Sequence, residues 1–106
     1  MNETAVMEKS DGVGGGRDGR YEVEARLRTA VDFMSREFRR NPRLAEIARV
    51  AHFSEYHFHR LFRKHFGKTP KQVIVELQIE DVKRQMLAGH RPSDAARRAG
   101  FAHQSH

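Results

Sequence analysis

The stretch "IARVAHFSEYHF", residues 47–58, carries the spacing that decides the fold, and it returns further on as "AARRAGFAHQSH", residues 95–106. Ala48 corresponds to Ala96, Ala51 to Ala99 and Phe53 to Phe101. A small residue, a second one three positions on, and an aromatic just past a turn make a helix-turn-helix spacing. The small side chains let two helices cross closely, and the ring anchors the turn. Two such units on one chain are far more specific than one.

Outward from the first copy, "SEYHFHRLFRKHFGKTP" (residues 54–70) reads as one helix and the start of another. At about 100° per residue, Phe58, Leu61 and Phe62, with Phe66 less centrally, fall on one side. This is an ordinary core stripe. Tyr56, His59, Arg60 and Arg63 fall on the other side, a face with one ring, one imidazole, two guanidinium forks and no carboxylate. Groups of this kind suit base edges and phosphates. Ser54 is the expected N-cap and Gly67 the expected left-handed stop. Thr69, Pro70 and Gln72 then spell a capping box with proline at the first helical position.

The rest of the chain supplies the frame. Leu27, Ala30, Val31, Met34 and Phe38 recur at helical spacing until Asn41 and Pro42 break the pattern. A short helix is expected over about 44–51. The helix opened by Thr69 should run to about 88, since Gly89 follows. It is apolar on two sides: Val75, Ile79, Val82 and Met86 form one stripe, and Val73, Ile74 and Leu77 another. Ser93 is read as the opening of a last short helix. No strand pattern occurs after residue 26, so the expected class is all-α. Residues 1–25, glycine-rich and acidic, are expected to be a flexible tail, and 26–106 the domain.

Charge and composition narrow the function. The chain has 106 residues and a formal net charge of +6, but residues 1–25 carry six acids against three bases. The remaining residues hold 17 Lys and Arg against eight acids, an excess that favours a polyanion. With no cysteine there is no disulfide, thiolate metal site or cysteine nucleophile. Apolar runs are too short to span a bilayer, and a cytoplasmic, nucleoid-associated location is expected. His57, His59 and His65 do not share a face at ligand spacing, so no metal is expected. Glu80 and Asp81 point about 100° apart on their helix, and Gly14–Gly16 lack a strand-helix context, so neither catalysis nor a cofactor is expected.

These residues resemble the DNA-binding domain of the AraC/XylS family of bacterial transcription regulators. The resemblance covers about Leu27 to His106 and rests on "LAEIARVAHFSEYHFHRLFRKHFGKTP" and "DAARRAGFAHQSH". It implies two helix-turn-helix units, about 27–67 and 92–106, joined by a linker helix, with recognition helices in successive major grooves. By position, Tyr56, His59 and Arg60 are expected at base edges, with Gln104 and Ser105 beginning the second reader. Arg63, Lys64 and Lys68 are expected at phosphates. His65, on the apolar side, is expected to be a partly buried end-of-helix residue. Three departures accompany the match. His52 stands where the family usually has the turn glycine, and Gln78 where an arginine is common. The pattern "FxRxFxxxxGxTPxxYR" expected after His106 is absent, so the second unit is expected to be incomplete, with no room for an N-terminal effector-sensing domain. Double-stranded DNA is the expected partner. The competing reading is a truncated remnant of such a regulator that binds DNA non-specifically or binds protein, RNA polymerase or a full-length relative. Anionic membrane binding is weaker, because the basic stripe backs no lipid-facing stripe.

Overall fold

The computed structural model describes residues 15–101, with the backbone alone considered for 15–20. Five helices follow one another: α1 (Gly15–Glu37), α2 (Leu44–Val50), α3 (Glu55–Phe66), α4 (Pro70–Leu87) and α5 (Pro92–Ala99). A 3-10 turn, Phe38–Arg40, closes α1. No strand is present among the described residues.

Helix α1 starts at Gly15, inside the stretch expected to be a tail. The helix formers Glu22, Glu24, Ala25 and Arg26 carry it upstream of the apolar stripe, and Val23 packs on the core, so helix continues where periodicity alone gave no signal. The stripe itself is as spaced: Leu27, Ala30, Met34 and Phe38 are buried and Val31 packs beside them. They meet Ile47, Ala48 and Ala51 at the end of α2, Phe58 and Phe62 of α3, and Ile74 of α4. The Phe58 and Phe62 rings are fully buried, their centroids 5.3 Å apart. Truncating either to alanine costs about 3–5 kcal/mol.

Each boundary has a local cause. The Ser54 side chain accepts from the His57 amide, and Gly67 ends α3 at φ 76°. At Thr69 both halves of the capping box form: Gln72 N to Thr69 Oγ1 at 3.1 Å, Thr69 N to Gln72 Oε1 at 2.8 Å. Helix α5 opens one residue before Ser93, with Arg91 as N-cap and Pro92 at the first position, where proline's fixed φ suits the helix.

The two turns repeat in backbone detail. Phe53 N donates to Ala48 O and Phe101 N to Ala96 O, both at 3.0 Å. Both turns pass through positive φ, 64° at His52 and 109° at Gly100. Helix α4 packs against α1, α3 and α5, as its two apolar sides require. One of those sides is incompletely covered: Ile79 and Met86 are 43% and 45% exposed.

Candidate nucleic-acid interface

Burying Phe58 and Phe62 fixes the rotation of α3 and so decides what its far side presents. Tyr56 projects with 73% of its surface exposed. Arg60, Arg63 and Lys64 are exposed along the same side and engage no carboxylate among the described residues. Glu55 sits in the first turn, where the helix dipole favours an acid. The result is a ring and three unpaired cations on a rigid helix capped at both ends.

Two of the expected contacts stand differently. His59 is half-buried, at the edge of this side, and lines a cavity between α2, α3 and the start of α4. Lys68 already holds Glu76, Nζ to Oε1 at 2.9 Å, across the turn into α4. The pair is about half exposed on both sides, so it is weak and exchangeable. His65 corrects the sequence expectation. It is exposed, not partly buried, and its ring meets the edge of Phe66 at 4.6 Å, because Phe66 itself is 39% exposed at the frayed edge of the core. Gln104 and Ser105 lie outside the described residues.

Three polar devices hold the elements behind this candidate interface, and helical periodicity gives none of them a role. The first holds the first turn. Arg26 Nε donates to Ala51 O at 2.9 Å, its second nitrogen donates to His52 O, and its guanidinium lies 4.0 Å over the Phe53 ring. Arg26 of α1 thus braces the turn that precedes α3. The second is the fully buried Gln78, which donates to Asn41 Oδ1 at 2.7 Å and to Phe38 O at 3.3 Å, while Asn41 donates to Gly100 O. Gln78 and Asn41 therefore dock the second turn onto the end of α1.

The third is Asp81, only 1% exposed. Its carboxylate takes a bidentate pair from Arg39 at 2.9 and 2.7 Å, with Arg84 at 2.9 Å and Gln85 at 2.7 Å. The Arg39 hydrogen bonds hold the Asp81 carboxyl below its ordinary pKa against the opposing effect of burial. The sequence shows Asp81 only as a carboxylate pointing about 100° away from Glu80 on the same helix. It is instead the hub that ties α4 to the end of α1.

A family model described as a helix-turn-helix domain matches residues 47–106, more than half of the chain. The chain belongs to the AraC-type helix-turn-helix family. This AraC-type domain is also similar to the "Uncharacterized HTH-type transcriptional regulator YbfI" of Bacillus subtilis (strain 168), 31% identical over 80 residues. That alignment takes in 76% of this chain and 29% of the relative, so the chain spans less than a third of the relative's length. No solved structure matches. Among the described residues, no helix is long and apolar enough to cross a membrane, and no group of three or more His, Asp or Glu side chains converges.

Proposed function

We propose that this AraC-type domain is a sequence-specific DNA-binding transcription regulator that lays α3 in the major groove. Arg60 reads guanine through its two-pronged guanidinium, a contact that discriminates by about 1–3 kcal/mol. Tyr56 meets a thymine methyl, and His59 donates to a purine or a phosphate from the edge of the face. Arg63 and Lys64 hold phosphates and set register without reading sequence. Lys68 joins them only by giving up Glu76. Gln104 and Ser105 begin the reader of the second unit. RNA polymerase is the protein partner such a regulator would engage.

The observation that carries this reading is the outward side of α3: an exposed tyrosine and unpaired cations, rigidly backed by two buried phenylalanines. The printed description of the relative as a transcriptional regulator supports it. Selection from random duplexes tests it. A single short motif enriched by the chain is the expected result; salt-sensitive binding with no enriched motif would reduce the chain to a non-specific binder. The exposed Ile79 and Met86 favour a second reading, a protein-interaction role through α4. Under that reading Arg60→Ala leaves partner binding unchanged.

A further inference from the structure

A cleft of about 220 Å³ opens where the end of α1, the last turn of α4 and α5 meet, lined by Arg39, Gln85, His90 and Arg98. It is smaller than the roughly 300–1,000 Å³ of pockets that hold organic ligands, and of a size for an ion. Every side chain in its lining is polar and none is acidic. Arg98 and His90 are exposed, and neither side chain has a partner among the described residues. Arg39 gives Nε and Nη2 to Asp81 and keeps Nη1 free. Together with Asp81 and its other partner Arg84, the cluster holds three guanidiniums and one carboxylate, a net positive charge.

Gln85 supplies the opposite kind of group. Its Nε2 donates to Asp81 Oδ2 at 2.7 Å, which fixes the amide, since a flip would set two oxygens against each other. Its Oε1 is left buried with no partner. A buried acceptor without a donor is uncommon in folded proteins and calls for one. We propose that the cleft binds inorganic phosphate, its anionic oxygens accepting from Arg39, His90 and Arg98 and its P–OH donating to Gln85 Oε1. The single acceptor among donors selects the ligand. Inorganic phosphate keeps at least one P–OH at every pH near neutrality. Sulfate, a carboxylate and the phosphodiester of a nucleic-acid backbone have none, and a phosphomonoester, with a second pKa of about 6, has mostly lost its own above neutrality. Bound there, phosphate bridges the end of α1, the loop after α4 and α5, and so holds the second turn in place. Phosphate binding is independent of what α3 reads.

The test titrates the whole chain with sodium phosphate at about pH 7.5 and constant ionic strength, with sodium sulfate as a control close in charge and shape. Amide chemical shifts and the melting transition report binding. Phosphate is expected to bind saturably, one per chain, about tenfold or more tighter than sulfate, and to raise the melting temperature more. Arg98→Gln with His90→Gln, both at exposed positions, lowers phosphate affinity about tenfold or more and leaves the melting transition in phosphate-free buffer unchanged. Gln85→Met brings phosphate down to the affinity of sulfate, and retained sulfate binding shows that the cleft still forms. Absence of saturable phosphate binding overturns the proposal. So does equal affinity of the wild type for phosphate and sulfate, which would leave Gln85 Oε1 no part in recognition. Phosphate binding that the paired substitution does not weaken lies elsewhere and overturns the site. If the paired substitution instead lowers the salt slope of duplex binding while free phosphate never saturates, these cations hold the DNA backbone, and the phosphate site fails while the reading of α3 stands.

Discussion

At the scale of single residues, His52 and Asp81 carry opposite lessons about what a polar side chain does in a small helical domain. His52 holds φ 64°, a conformation that costs an L-residue about 1–2 kcal/mol, and Arg26 braces the carbonyls on either side of the strained position. Since those hydrogen bonds go to backbone, they survive a change of side chain. His52→Gly is therefore expected to stabilise the domain by about 1 kcal/mol in urea unfolding, with binding to DNA retained. Asp81 is buried and fully engaged, so Asp81→Ala removes the shared acceptor of Arg39, Arg84 and Gln85. The cost is about 3 kcal/mol, at the low end for a broken buried pair because Arg39 and Arg84 remain largely solvated. The folded-state pKa of Asp81 is depressed, so its contribution is fully present above the ordinary carboxylate pKa and fades as pH falls through the lowered value. Unfolding curves of wild type and Asp81→Ala should accordingly stay separated near neutrality and converge only below about pH 4.

At the scale of elements, the caps and turns make the clearest comparison. Gly67 and Gly100 both end a helix at positive φ, 76° and 109°. A Cβ at Gly67 meets nothing within 4 Å, whereas one at Gly100 lies 2.7 Å from both Arg39 O and Gln78 Nε2. Gly67→Ala should cost about 1 kcal/mol. Gly100→Ala should cost clearly more, about 2–3 kcal/mol, and loosen α5 from α4, as amide exchange along α5 would report. The difference shows what the sequence makes legible. Ser54, Gly67 and the Thr69–Gln72 box act within a few positions of themselves, so spacing alone reveals them. The apolar stripes of α1 and α3 are legible for the same reason, and with them the outward face of α3. Gln78 bonds Phe38 and Arg26 bonds Ala51, 40 and 25 positions away, and the Arg39 pair that ties Asp81 to another element lies 42 away, so spacing along α4 or α1 does not mark them as buried or bracing. His65 misled for a related cause: its angle belongs to the apolar side, but the core ends before the last turn of α3.

At the scale of the whole molecule, the basic excess beyond residue 25 gives long-range attraction to a polyanion, and on the proposed function the α3 face gives it direction. The two effects separate by salt. Each phosphate contact contributes about one unit to the slope of log affinity against log salt, so Arg63→Gln and Lys64→Gln should each lower that slope by about 1 on every duplex alike. Lys68→Gln is expected to change it less, because Lys68 is held by Glu76. A contact that reads sequence behaves otherwise. The most direct test of the central claim is therefore the affinity of wild type and Arg60→Ala for the duplex that selection enriches and for a scrambled one. The prediction is a loss of about 1–3 kcal/mol on the enriched duplex, a much smaller loss on the scrambled one, and an unchanged melting transition. An equal loss on both duplexes would contradict the account, because Arg60 would then hold a phosphate and α3 would not be reading bases through it.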